Sequence, residues 1–294
     1  MSAQFSGVLF GLAAFISWGF LPVYWKQLQE VAPFEILCHR IVWSCVFLCL
    51  IVSYQQRWGE VRLIAVSLEK LWKLCISGLL IGFNWFIYIW AVNTGHVVET
   101  SLGYYITPMV NILFGFLLLG ERLGRLQTFA VLSALGGVIY SLAGYGNFPK
   151  FGLTLAFTFA FYGFARKKIQ VAPIPGLLIE TVVLLIPALA YLLYRQMQYG
   201  SLFLTNTGIT LWLIGAGVAT SLPLLWFAAA ARNLRLSTIG ILQYLAPSIA
   251  FMLGVFLYRE HFDLHSLVTF SLIWFGVAVY CTDALLRNRR VPRP

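Results

Sequence analysis

Charge is what this sequence has least of. Asp, Glu, Lys and Arg make up 10% of its 294 residues, against about 25% in an ordinary soluble domain. Hydrophobic residues reach 60% and the mean hydropathy is +0.84. A soluble globular domain, whose surface must be wetted by charge, is thereby excluded. Cysteine is also sparse. Cys38, Cys45, Cys49, Cys75 and Cys281 lie inside apolar runs without CxxC spacing, and they read as small packing residues rather than a disulfide framework or a metal centre. The four histidines, His39, His96, His261 and His265, are scattered, and GxSxG, HExxH, P-loop and GxGxxG patterns are all missing. No catalytic constellation, metal or cofactor is therefore expected. The net charge of +10 comes from short clusters between apolar runs, without a basic amphipathic helix, so nucleic acid is not an expected partner.

What the chain does have is ten long apolar segments, each near the roughly 20 residues that a helix needs to cross about 30 Å of hydrocarbon. They run from Phe5 to Tyr24, Glu35 to Ser53, Trp72 to Val92, Glu99 to Leu119, Leu126 to Gly144, Phe151 to Ala165, Pro175 to Tyr194, Ile209 to Ala231, Thr238 to Leu257 and Ser266 to Leu286. The first lacks a basic leader and a small-residue cleavage site, and reads as a retained helix. With the N-terminus in the cytoplasm, the inside segments carry fifteen Lys and Arg and the outside loops four, Lys26, Lys150, Arg195 and Arg259. The positive-inside rule then places both termini in the cytoplasm.

The two halves resemble each other. An offset of 139 residues pairs Tyr105 with Tyr244, Pro108 with Pro247, Gly115 with Gly254, Glu121 with Glu260 and Gly137 with Gly276, while an offset of 141 pairs Gly11 with Gly152, Ser17 with Thr158, Lys26 with Lys167 and His39 with Glu180. Five helices per copy is an odd number, so the second copy enters the membrane from the opposite side. The expected fold is an all-α polytopic membrane protein with ten transmembrane helices arranged as two inverted five-helix repeats. The first repeat spans 1–145, the second 146–286, and 287–294 form a basic cytoplasmic tail. Inverted repeats of this kind recur in secondary transporters, which alternate access to a midplane site.

Matched prolines at the centres of two helices, Pro108 and Pro247, each remove a backbone hydrogen bond and are candidate kinks beside such a site. Aromatic and amide side chains supply the candidate substrate-binding set: Trp18, Asn84, Trp85, Tyr104, Tyr105, Asn111, Gln243 and Tyr244. Aromatic walls with a few amides and hydroxyls suit a small, mostly apolar solute. Ionisable groups at membrane depth cost at least about 2.5–3.5 kcal/mol each, and His39, Arg40 and Glu180 are accordingly the gating or coupling candidates. Glu180 or His39 is a candidate to take up a proton. A direct bridge between Arg40 and Glu180 is not expected, because the two differ in depth by roughly 15 Å. Glu121 and Glu260 each open the following helix and read as partners of its N-terminal dipole.

The stretches HRIVWS, NWFIYIWAVN, ETSLGYYITPMVNILFGFLLLGERL and AFYGFARKK resemble the RarD family of EamA-type permeases, in the drug/metabolite transporter superfamily. The resemblance covers essentially the whole chain. It implies a ten-helix inner-membrane permease with two EamA repeats around a central cavity, and a link to chloramphenicol sensitivity. The expected partners are a small-molecule substrate and the lipid bilayer. The competing expectation is a non-transporting interaction protein that uses GxxxG patches, Gly7/Gly11 and Gly78/Gly82, to bind partner helices.

Overall fold

The computed structural model describes residues 3–94, 96–145, 148–257 and 264–290. Among these, all regular structure is helical, as lipid requires of apolar segments whose backbone groups can find partners only within themselves. The helices are α1 (Ala3–Trp25), α2 (Pro33–Tyr54), α3 (Trp58–Ala65), α4 (Leu68–Asn93), α5 (Val97–Leu119), α6 (Arg125–Tyr145), α7 (Lys150–Lys168), α8 (Pro173–Tyr199), α9 (Thr207–Asn233), α10 (Leu236–Gln243), α11 (Leu245–Met252) and α12 (Leu264–Arg290). Eight stretches among the described residues are long and apolar enough to cross a membrane. The exceptions are α7, which ends in Arg166, Lys167 and Lys168, and α12, whose apolar stretch is the shorter Leu267–Asp283. Leu50, Ile186, Leu193 and Leu211 are exposed on the outer surface, as befits a protein bathed in hydrocarbon.

Each of the ten apolar segments falls on helix, but local chemistry alters the ninth. It is split at Tyr244 into α10 and α11 and then passes into a π-helical turn, Leu253–Leu257. Pro247 lies in the first turn of α11, where a missing N–H has no intrahelical acceptor to lose. By contrast, α5 runs unbroken through Pro108. Further prolines lie inside α1, α8 and α9, at Pro22, Pro187 and Pro223, so proline by itself does not single out one place in the bundle. Between the second and third segments the chain forms α3, a short helix that sequence reading passed over as a loop.

Close helix approaches are made at glycines. A Cβ on Gly137 would stand 2.9 Å from the Thr269 carbonyl oxygen, and one on Gly276 would stand 2.5 Å from the Ala130 carbonyl oxygen. These contacts seat α6 against α12, and they are reciprocal: each partner lies 139 residues from its counterpart, the separation also seen where Tyr244 Oη donates to the Tyr105 carbonyl at 3.3 Å. Elsewhere α2 packs on α8 and α9, α5 on α7 and α10, α1 on α9 and α11, and α4 on α7 and α8. The GxxxG glycines are consumed inside this packing. Gly7 faces Asn233 and Leu234, Gly11 faces Leu242, Gly78 crosses the backbone of Glu180, and Gly82 faces Leu184.

Two charged residues are placed differently from the sequence expectation. Glu121 does not cap α6. Gly120 turns left-handed at φ 64°, and the Glu121 carboxylate instead accepts from Leu236 N at 2.7 Å and from Ser237 N at 3.0 Å, at the start of α10 in the other half of the chain. A loop acid two residues past a helix end is free to seek whichever N-terminus the tertiary fold brings near. Its counterpart Glu260 lies outside the described residues, as do Arg259, His261 and positions 291–294 of the tail. Arg166, counted above with the loop cations, is buried on α7.

Candidate functional site

Helices α2, α4, α8 and α9 enclose a small cavity of about 10 Å³, room for about one water molecule. Its walls are apolar at Ile41, Ile81, Leu177, Leu184 and Leu224, and polar at Ser44, Trp85, Glu180, Thr181, Thr220 and Ser221. The polar groups come from four helices because each helix turns a short hydroxyl or amphipathic side chain toward the same axis. Ser44 Oγ donates to the Gly217 carbonyl at 3.1 Å, and Gly217 leaves α9 without a side chain where the Trp43 backbone crosses it. The Ser221 hydroxyl is buried with no hydrogen-bond partner among the described residues. An unpaired hydroxyl facing a cavity is available to a ligand or to water.

At one side of the cavity stands a buried ion pair. Arg166 Nη1 on α7 lies 3.2 Å from Glu180 Oε1 on α8, with the two side chains 2% and 1% exposed. Tyr162 Oη donates to the other carboxylate oxygen at 3.5 Å. Gly176 makes room for this guanidinium, since a Cβ there would stand 2.6 Å from Nη1. Ser77 and Gly78 of α4 border the same place, the glycine permitting contact with the Glu180 backbone.

On the other side is Arg40. Its Nε donates to Thr220 Oγ1 at 2.9 Å, and its guanidinium carbon lies 4.8 Å from the Trp25 ring centre and 5.0 Å from that of Trp85. Thr220 and Trp85 are thus both cavity walls and the immediate neighbours of Arg40. Among the described residues Arg40 takes part in no ion pair, and none joins it to Glu180. His39, one residue earlier, is buried with its ring 4.6 Å from that of Phe203. A second pair, Glu35 Oε2 with Arg195 Nε at 3.2 Å, ties this end of α2 to α8.

Of the aromatic and amide residues singled out in the sequence, Trp85 borders the cavity. The others are spread over helix seams. Trp18 packs on Phe159 and Phe227, with ring centres 5.8 and 5.7 Å away. Asn84 Nδ2 donates to the Leu155 carbonyl at 2.9 Å and to Thr158 Oγ1 at 2.8 Å, fastening α4 to α7. Asn111 Nδ2 donates to Gln243 Oε1 at 2.7 Å across the seam of α5 and α10, while Asn111 Oδ1 is buried with no partner among the described residues. Tyr105 and Tyr244 meet on the same seam, and the Pro108 carbonyl packs on Gly240. Tyr104 is half exposed beside Tyr88, ring centres 6.1 Å apart. Sequence reading missed Trp25, Ser44, Arg166, Thr181, Thr220 and Ser221. The run TSLP on α9 carried a usable signal, since Pro223 frees a carbonyl close to two adjacent hydroxyls.

The model for the EamA-like transporter family matches this chain twice, over residues 5–143 and 150–282. Protein RarD of Escherichia coli (strain K12) is 43% identical over 288 residues, covering 98% of this chain and 97% of the relative. An uncharacterized transporter of Vibrio cholerae is 43% identical over 280 residues, covering 95% of this chain and 93% of its own length. A Pseudomonas aeruginosa relative named chloramphenicol-sensitive protein RarD is 31% identical over 289 residues, 96% of each chain. A solved crystal structure superimposes with a TM-score of 0.70 at 20% identity, covering 98% of this chain and 100% of its own, and shares the fold.

Proposed function

This chain belongs to the EamA-like transporter family, in its RarD group, and from that premise we propose that it is a secondary transporter. It carries a small organic metabolite or amphiphilic drug-like solute across the cytoplasmic membrane by alternating access. The observation that supports this reading most is the cavity shared by α2, α4, α8 and α9, with an unpaired Ser221 hydroxyl and the Trp85 ring in its walls. Only ion gradients are available to drive such a protein uphill, because its sequence carries no nucleotide-binding motif.

In this reading ten helices cross the membrane as two inverted repeats, 1–145 and 146–286, with both termini and the 287–294 tail in the cytoplasm. The reciprocal contacts of Gly137 and Gly276 support the two-fold relation. The seam held by Asn111 with Gln243 and by Tyr244 with Tyr105 is where the repeats exchange contacts, and Pro108 and Pro247 give local flexibility on either side of it. Trp85 contacts solute; Trp18, Asn84 and Tyr104 complete the aromatic and amide path as access alternates. Glu180 and His39 are the coupling groups, Glu180 taking a proton when the Arg166 pair opens. The rival reading, a partner-binding scaffold, loses its support because both GxxxG patches pack against this chain itself.

Flux into proteoliposomes, with a panel of amino acids, other metabolites and amphiphilic drugs including chloramphenicol, tests the proposal. Saturable flux that is lost in Trp85→Ala is the expected result. A folded protein that moves no member of the panel would count for the scaffold. For coupling, Glu180→Gln should abolish pH-driven flux while leaving exchange; unchanged pH-driven flux removes Glu180 from that role.

A further inference from the structure

Among the described residues the buried and half-buried cations are matched to acceptors, with one exception. Arg166 has Glu180, Arg195 has Glu35, and Lys167 Nζ donates to the Leu234 carbonyl. Arg40 has one neutral hydrogen bond, from Nε to Thr220, and two indole faces. No hydrogen bond reaches its Nη atoms from the described residues. An arginine at membrane depth without a counter-charge is costly, and cation–π contacts offset only about 0.5–2 kcal/mol. The planar fork is nevertheless fixed in direction. Two indole ring centres lie within 5.0 Å of its guanidinium carbon and Thr220 holds its Nε edge, which leaves the Nη edge, one that matches a carboxylate in bidentate geometry.

We propose that Arg40 is the anion-binding residue of the solute site, and that the solute is an organic monocarboxylate with a planar apolar body. The inference rests on the transporter reading and adds the charge of the cargo to it. The carboxylate takes the Nη edge. The apolar body lies along Trp85 toward Ile41, Ile81 and Leu224, and takes its place as the one-water cavity that these residues line with Thr220 widens when access alternates. Half-exposed Tyr104, in electrostatic reach of Arg40 together with Tyr88, stands on the approach. At the far side Arg166 is paired with Glu180, so the binding energy for an anion is concentrated at the Arg40 end and orients the solute.

The test uses the purified full-length protein and three probes of one shape: indole-3-acetate, the neutral indole-3-acetamide and the cationic tryptamine. Ligand-dependent thermal stabilisation and calorimetry read the affinities. The acetate should bind at least about tenfold more tightly than the amide. Arg40→Gln should erase that preference without weakening the amide, and Arg40→Lys should restore part of it. Should Arg40→Gln fail to fold, Thr220→Val frees the guanidinium while keeping its charge, and a several-fold loss for the acetate alone is expected. Equal affinities for the three probes, or an acetate preference untouched by the variants, would overturn the anion site and leave the transporter reading standing. No binding of any probe also overturns it as stated, while flux of other panel solutes decides the transporter reading separately.

Discussion

Two arginines flank one cavity, and they are held in opposite ways. Arg166 is enclosed with its carboxylate, at 2% exposure and 3.2 Å from Glu180, so both charges are desolvated and each depends on the other. Arg40 is held by ring faces and a hydroxyl, and its charge is unanswered within the described protein. Burial of a charge is therefore not one thing in this molecule. A cation with a resident anion is part of the scaffold or of a gate, and can be released only by protonating or displacing that anion. A cation with only π-faces and a neutral oxygen retains its capacity to bind.

The largest effect should come from breaking the enclosed pair. Arg166→Met leaves Glu180 buried and unmatched and should cost about 3–5 kcal/mol, seen as a strongly lowered melting temperature in detergent. The double variant Arg166→Met with Glu180→Leu should recover most of that loss. If the single change is no worse than Arg40→Gln, the contrast between the two arginines is broken. Next in size is Glu121→Ala, which strips an acceptor from the start of α10 and should cost about 1–2 kcal/mol by the same measurement. Arg40→Gln should cost about 1 kcal/mol or less, because it removes cation–π contacts and one neutral hydrogen bond but also a buried charge.

An exposed pair sets the lower end of the scale. Arg57 Nε lies 2.6 Å from Glu60 Oε1 on α3, with side chains 26% and 46% exposed. Hydrogen bonding to Arg57 holds the Glu60 carboxyl below its ordinary value. Its contribution is therefore present above the unfolded carboxylate pKa and is lost as pH falls through the lower folded one. Solvent screening limits it to about 0.5 kcal/mol, so Glu60→Gln should leave the melting temperature nearly unchanged and flatten only the acid limb of its pH profile.

Much of the architecture was legible before any coordinates, and the two halves of the site were not. The ten apolar runs become helix because hydrophobicity over about 20 residues is a one-dimensional property. The matched pairs Tyr105/Tyr244 and Gly137/Gly276 could be read as an offset; Tyr105 and Tyr244 do meet in space, and Gly137 and Gly276 each pack on the helix that carries the other. Arg40 and Glu180 stood out as charges in apolar runs. Arg166 did not, since it opens a run of three cations that looks like a loop, and only the approach of α8 at Gly176 encloses it. Glu121 was read correctly as a dipole partner, but for the wrong helix.

Sequence alone determined the solvent, the segments and the repeat, because composition, run length and internal offset need no knowledge of which helix faces which. Tertiary structure decided the partners. Segments that are apolar all round carry no stripe to set their rotation, so whether Thr220, Ser221 and Trp85 converge on one cavity while Asn84 and Asn111 fasten seams depends on helix crossings at Gly78, Gly217 and Gly240. Those close approaches are fixed by packing between residues far apart in the chain. That is also why a glutamate and an arginine, both visible in the sequence, ended with different counterparts: one with Arg166, the other with two tryptophans and a threonine.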